Sequence, residues 1–141
     1  MKRQDFILPL LLGATVSCGS PTEPSLLPTN LQITNVTFTG PPAPPLSVAT
    51  APDTVRIAGG IQMNEPCYDF EARAVTRGDT LVVDLLATRR TTACQQYIAS
   101  FSFVLTVTGV DSGLTAVRLD YVRRGPPTYR QTVLEQAVQI P

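Results

Sequence analysis

The sequence contains no histidine and no tryptophan, and its only lysine is Lys2. Without an imidazole, the chain lacks the most common general base and the most common metal ligand of proteins. Serine–histidine–aspartate and cysteine–histidine catalytic arrangements are therefore excluded. The enzymatic alternative considered for this chain uses carboxylates.

The first residues have the layout of an export signal. Lys2 and Arg3 give a positive start, and an apolar stretch runs from Phe6 to Val16. This stretch is too short for a transmembrane helix, which needs about 20 apolar residues. We expect residues 1–17 to be a signal peptide that is removed on export.

The run Ala14-Thr15-Val16-Ser17-Cys18 resembles the lipobox of bacterial lipoproteins, since small residues precede the cysteine. Thr15 departs from the family pattern, which prefers leucine there. The resemblance implies that Cys18 carries acyl chains such as palmitate, and that the protein is attached to a membrane through them. The alternative is an ordinary secreted protein in which Cys18 is a free thiol.

Residues 18–30 are polar and contain proline and serine, a composition typical of a flexible tether between a lipid anchor and a domain. Gly19 follows Cys18, where similar Gram-negative lipoproteins that stay in the inner membrane commonly have aspartate. The resemblance therefore implies a location in the bacterial cell envelope, at the outer membrane. Residues 31–141 remain for a single folded domain.

The chain also lacks an excess of either charge, with 11 basic and 11 acidic residues. Removal of the signal peptide takes away Lys2, Arg3 and Asp5, so the mature protein is left with nine basic and ten acidic residues. A protein that binds nucleic acid usually needs a basic face to neutralise phosphates. Nucleic acid is thus not an expected partner.

Cys67 and Cys94 are the only cysteines besides Cys18. In an exported chain, two such thiols most often form one disulfide. Redox or zinc sites are poorly supported, because the two residues are not in a Cys-x-x-Cys motif and no histidine is present. We expect a structural disulfide that closes the open end of a hairpin turning at Arg77-Gly78-Asp79, or that ties this hairpin to the next strand.

Alternating apolar and polar residues between turn residues predict seven strands. The proline-rich Pro41–Pro45 reads as a loop or an edge crossing, and Gly59-Gly60 suggests a bulge. The last predicted strand could instead be a short helix around Val133–Val138. The predicted strands are Leu31–Phe38, Thr54–Met63, Tyr68–Thr76, Thr80–Thr88, Gln96–Thr108, Leu114–Arg123 and Thr132–Ile140.

This pattern predicts an all-β fold, a seven-stranded antiparallel immunoglobulin-like β-sandwich, with a small barrel as the second choice. The order of Pro66-Cys67-Tyr68, Gly78-Asp79-Thr80, Ala93-Cys94 and Val107-Thr108-Gly109 also resembles small uncharacterised bacterial lipoproteins that have a β-sandwich with paired cysteines. That resemblance covers Pro66–Ile140 and implies no known activity.

Three groups of residues are candidates for function. Arg77-Gly78-Asp79 matches the integrin-recognition tripeptide, but we favour the explanation that the glycine and aspartate form a hairpin turn. Four acidic residues could form a paired-carboxylate or calcium site: Asp69, Glu71, Asp79 and Asp84. The favoured alternative is that they are polar side chains on a solvent-exposed strand face. Tyrosines and arginines near strand ends could form a partner-binding patch: Tyr121, Arg123, Arg124, Tyr129 and Arg130. Solvent-exposed strand ends explain these residues equally well.

We therefore expect a non-enzymatic binding or structural module of the cell envelope, without a cofactor, a metal or a catalytic residue. Its expected partners are the membrane, through the lipid anchor, and a protein or glycan of the envelope. The alternative is a secreted carboxylate-dependent hydrolase or a glycan-processing accessory protein. That alternative would require two acidic side chains to converge in a cleft.

Overall fold

The computed structural model of the protein describes residues 24–38 and 40–141. Cys18 and the expected signal peptide lie outside these ranges. Every regular element in the described residues is a β-strand. In chain order the strands are β1 (Leu26–Leu27), β2 (Thr29–Phe38), β3 (Ser47–Ala51), β4 (Thr54–Met63), β5 (Tyr68–Arg77), β6 (Thr80–Arg89), β7 (Ala99–Thr108), β8 (Ala116–Arg123) and β9 (Tyr129–Ala137).

The strands form two sheets that pack face to face as a β-sandwich. The five-stranded sheet has the order β1-β5-β6-β8-β9, and the four-stranded sheet has the order β2-β7-β4-β3. The prediction of an all-β sandwich is confirmed. The predicted number of seven strands is corrected to nine within the described residues, because β1 and β3 were read as tether and loop.

The two added strands are short and lie at sheet edges. Strand β1 pairs Leu26 with Val75 and Leu27 with Ala74. It lies within residues 18–30, the range assigned to the tether, as do the first two residues of β2. Strand β3 follows the proline-rich segment and pairs with β4 from Ser47 to Ala51. Two or five residues are too few for an alternating pattern to distinguish a strand from a loop.

One strand pair is parallel, which corrects the prediction of a wholly antiparallel fold. Strands β6 and β8 run side by side in the same direction, with Asp84 opposite Asp120. The reason is the path of the chain between them. Strand β7 crosses to the four-stranded sheet and reverses direction, so β8 returns beside β6 pointing the same way.

The core between the sheets follows the predicted alternation. The inward positions of β6 and β8 and of the facing strands are fully buried, while the intervening residues of β5 are exposed. The last strand, β9, replaces the helix that was the alternative around Val133–Val138. The largest fully buried apolar side chains are Ile57, Leu81, Leu85, Phe103, Leu105 and Leu119.

A second cluster of buried side chains lies at one end of the sandwich, which we call the disulfide end. The Cys67–Cys94 disulfide is formed there, with Cα atoms 6.0 Å apart. The cluster differs from the main core in containing two tyrosines. Its members are Met63, Tyr68, Ala87, Ala99, Phe101 and Tyr121.

The bulge predicted at Gly59-Gly60 is absent, because β4 pairs with β7 in unbroken register through both glycines. The glycines instead allow the proline-rich segment to pass directly over β4. A Cβ atom at Gly59 would lie 2.7 Å from the carbonyl oxygen of Pro45. The Gly60 amide donates a hydrogen bond to the Pro44 carbonyl at 2.9 Å. This close approach brings Leu46 to the disulfide end.

Candidate functional site

The candidate site is a cleft at the disulfide end, between the two sheets. Its volume is about 610 Å³, within the range of about 300–1,000 Å³ typical of small-molecule sites. Strand β4 forms one wall, through residues 60–63, and strands β8 and β9 form the other through Tyr121, Tyr129 and Val133. Strand β5 contributes Tyr68.

Two tyrosines of the second buried cluster line this cleft. Tyr68 is 7% exposed and Tyr121 is 9% exposed. Among the residues that the structure describes, neither hydroxyl has a hydrogen-bond partner. Burial, together with the nearby Tyr68, raises the pKa of the Tyr121 hydroxyl to about 12. The hydroxyl of Tyr121 is therefore a neutral donor at physiological pH.

The rim of the cleft is formed by the start of β9 and the end of β8. Tyr129 is 45% exposed, and its ring centroid lies 6.3 Å from that of Tyr121. The guanidinium of Arg123 lies over the Tyr129 ring, 5.8 Å from the centroid. The Tyr129 hydroxyl donates to the Gln131 side-chain oxygen at 2.8 Å. The rim thus presents an aromatic ring held in place by a cation and an amide.

The remaining polar lining is mostly uncharged. Gln62, Asn64 and Gln96 line the cleft, and none of these amides has a hydrogen-bond partner within ranges 24–38 and 40–141. Glu65 also lines the cleft, but Arg89 neutralises it at an N–O distance of 2.7 Å. The site therefore offers neutral donors and acceptors above an apolar floor.

The five-residue patch predicted from tyrosines and arginines is only partly brought together. Tyr121, Arg123 and Tyr129 meet at the cleft. Arg124 instead faces Glu71, 3.6 Å away, and Arg130 binds carboxylates on the outer face of the five-stranded sheet. The alternation of β8 and β9 explains this division, because neighbouring residues of a strand point to opposite faces.

The four carboxylates considered for a metal or catalytic site are kept apart. Asp69 pairs with Arg90 at 3.3 Å, and Glu71 pairs with Arg124. Asp79 accepts a hydrogen bond from the Thr115 hydroxyl at 2.6 Å, while Asp84 binds Arg130. In the described part of the chain, no group of three or more cysteine or carboxylate side chains could hold a metal ion.

A different pair of carboxylates does converge, on the outer face of the five-stranded sheet. Asp84 and Asp120 are neighbours in the parallel pair, and one Arg130 nitrogen lies 2.7 Å from Asp84 and 2.9 Å from Asp120. Asp120 is only 1% exposed. It also accepts hydrogen bonds from the Thr132 hydroxyl at 2.8 Å and from Arg118 at 3.2 Å.

The surroundings of Asp120 hold it in the ionised state. Burial by itself raises the pKa of this carboxyl, but hydrogen bonds from Thr132 and Arg130 and the charges of Arg118 and Arg130 lower it further than burial raises it. The net pKa of Asp120 is below its usual value. A carboxylate with lowered pKa that is engaged by two arginines is not prepared to act as a general acid.

The Arg77-Gly78-Asp79 tripeptide forms the β5–β6 turn at the end of the sandwich opposite the cleft. Gly78 has φ +61°, a conformation that glycine adopts readily at the first position of a two-residue hairpin turn. The backbone oxygen of Asp79 accepts a hydrogen bond from the Thr115 amide at 2.8 Å. The hydrogen bond from the Thr115 hydroxyl lowers the pKa of the Asp79 carboxyl. These contacts give the aspartate a structural role in the turn.

The sequence predicted Tyr68 on an apolar strand face and Tyr121 in a partner-binding patch, but it did not indicate most of the cleft. Its amides come from strand ends and from the segment before β7, which meet only in the folded molecule. One local signal was present: the positions of Tyr68 and Tyr121 on apolar strand faces are occupied by tyrosine, whose buried hydroxyl usually requires a partner.

Comparison with protein-family models, curated proteins and solved structures found no match to this chain. Within the described ranges, no helix has the length and apolar composition needed to span a membrane.

Proposed function

We propose that the protein is a lipid-anchored, non-enzymatic binding module of the bacterial cell envelope, and that the cleft is its binding site. The observation that carries this proposal is the pair of Tyr68 and Tyr121, whose side chains are buried while their hydroxyls reach the surface of the cleft without a hydrogen-bond partner in the described residues. Polar groups placed in this way on the wall of a concave, partly apolar cleft fix the orientation of a ligand. A ligand that forms hydrogen bonds with these hydroxyls would replace water there.

The path of the chain supports this arrangement. Leu26 pairs with Val75, whereas Tyr68 lies at the other end of the same strand β5. At about 3.3 Å per residue, Tyr68 and Val75 are roughly 23 Å apart along the strand. The tether therefore enters the sandwich at the end far from the cleft. With an anchor at Cys18, the cleft would face away from the membrane surface.

We also propose that the order of the strands is immunoglobulin-like. The packing of two sheets and the change of sheet at β7 support it. The parallel pairing of β6 with β8 departs from the immunoglobulin topology, because immunoglobulin domains are built on antiparallel sheets.

Native mass spectrometry of the full chain, isolated gently from the envelope of its own host, tests both parts of the proposal. We expect a mature protein that begins at Cys18 and carries acyl chains, together with an additional bound mass. Cys18→Ala should lose the acyl mass. The double variant Tyr68→Phe and Tyr121→Phe should lose the bound mass but keep its free energy of unfolding, because it removes only unpartnered hydroxyls.

Each part of the proposal can fail separately in this experiment. An unacylated protein with a free Cys18 thiol would show that the anchor is wrong. A bound mass that is absent in the wild type, or equally present in the double variant, would show that the cleft is not the binding site.

A further inference from the structure

We infer that the ligand of the cleft is a carbohydrate whose sugar rings stack on Tyr129 and whose hydroxyl groups bind the amides and tyrosines of the cleft. This inference rests on the proposed function, because it names the ligand class of that same site.

The polar lining matches a ligand that has many hydroxyl groups. A hydroxyl both donates and accepts hydrogen bonds, and so does a side-chain amide. Gln62, Asn64 and Gln96 offer three such amides without partners in the described part of the molecule. Tyr68 and Tyr121 add two hydroxyls that reach the cleft from buried side chains. Neutral groups that donate and accept are therefore concentrated on one small surface.

The rim and floor match the other side of a sugar ring, which presents C–H groups. The Tyr129 ring is 45% exposed at the entrance of the cleft. Ile61 and Val133 are partly buried and line the floor beneath it. A rigid aromatic side chain beside hydrogen-bonding amides binds a ligand that has an apolar face and a polar edge at low cost in conformational entropy.

The charge of the lining favours a neutral or negatively charged sugar over a cation. Glu65 is compensated by Arg89 at 2.7 Å. Arg123 has no ion-pair partner in residues 24–38 and 40–141, and its guanidinium is placed over the Tyr129 ring. Its planar group of donors can bind sugar hydroxyls or, in bidentate geometry, a uronate carboxylate.

Isothermal titration calorimetry with the full chain in detergent tests the inference. The probes are oligosaccharides of neutral hexose, N-acetylhexosamine and hexuronate. We expect at least one of the three to bind, and Tyr129→Ala to weaken that binding by about tenfold, because truncated interface tyrosines are among the most costly. Arg123→Gln should weaken binding of the uronate more than binding of a neutral chain.

Tyr97→Ala is the matched control. Tyr97 is also at the disulfide end, but its ring packs edge-on against Phe38 at 5.3 Å and does not line the cleft. This variant should bind the saccharide like the wild type. Equal weakening by Tyr97→Ala and Tyr129→Ala would overturn the assignment of Tyr129.

The inference and the proposed function fail in different ways. If no saccharide binds, but the wild type retains a non-carbohydrate mass that the Tyr68→Phe and Tyr121→Phe variant loses, the ligand class is wrong and the binding site stands. If no saccharide binds and no such mass is retained, both are wrong.

Discussion

At the scale of single residues, the polar groups of buried side chains are arranged in two different ways. Asp120 on the outer sheet face receives hydrogen bonds from Arg118, Arg130 and Thr132. The hydroxyls of Tyr68 and Tyr121 reach the cleft surface and have no hydrogen-bond partner in the described residues. A buried carboxylate that is fully engaged indicates a structural role, whereas hydroxyls that open to a cleft without a protein partner are available to a ligand.

We predict that Asp120→Asn lowers the free energy of unfolding by about 2–3 kcal/mol, because it removes a buried charge that two arginines engage. The matched variant Asp84→Asn should cost less than about 1 kcal/mol, since the Asp84 side chain is 26% exposed and water partly replaces its contact. Urea unfolding curves of both variants measure the difference. Equal losses would contradict the structural role of Asp120.

The same carboxylate predicts the direction of a pH effect. The pKa of Asp120 is lower in the folded state than in the unfolded chain. Its contribution is therefore complete above the unfolded pKa of about 3.9 and is lost as the pH falls through the lower, folded value. The stability difference between wild type and Asp120→Asn should be constant near neutral pH and shrink in acid. A difference that grows on acidification would contradict it.

The inward faces of the strands could be predicted from alternation, but the burial of Asp120 could not. Its position alternates with apolar residues and reads as a wetted face. What buries it is the pairing of β8 with β6 and β9, which brings Arg130 from ten positions further along the chain. A contact between strands of this kind is not encoded in the local pattern.

At the scale of the elements, the close passage of the proline-rich segment over β4 shapes one wall of the cleft. We predict that Gly59→Ala destabilises the protein by about 2–3 kcal/mol, because φ +148° is unfavourable for alanine and the new Cβ atom would meet backbone atoms of Pro45 and Leu46. Ligand binding should weaken together with stability.

Gly113→Ala is the control for this prediction. A Cβ atom at Gly113 would have its nearest neighbour, the Asp111 carboxylate oxygen, at 3.9 Å, which is an ordinary contact. This substitution should change the free energy of unfolding by less than about 0.5 kcal/mol. Thermal unfolding of the two variants measures the contrast. Tolerance of alanine at Gly59 would show that the segment does not approach β4 closely.

The long strands could be predicted because each has eight or more residues with a clear alternating pattern. The disulfide was also predicted correctly from cysteine number and export. Strands β1 and β3 could not be predicted, since they are short and gain their conformation by pairing with β5 and β4. The parallel register of β6 and β8 depends on the path of the whole chain.

At the scale of the whole molecule, Leu26, near the start of the described residues, and the cleft lie at opposite ends of the sandwich. The main core holds the two sheets together, and the second cluster contributes Met63, Tyr68 and Tyr121 to the cleft lining at the disulfide end. Strands β6 and β8 connect the two ends through continuous buried residues. Under the proposed function, this architecture would present the site at a distance from a lipid anchor at Cys18.

The most direct test of the binding site is photo-crosslinking in living cells of the host. A photoreactive amino acid at Gln96, which lines the cleft, is compared with one at Arg77, which is exposed at the opposite end. We predict an adduct of defined mass from position 96 that position 77 does not form and that Tyr129→Ala suppresses. Identical adducts from both positions, or none from position 96, would contradict the claim that the cleft is the binding site.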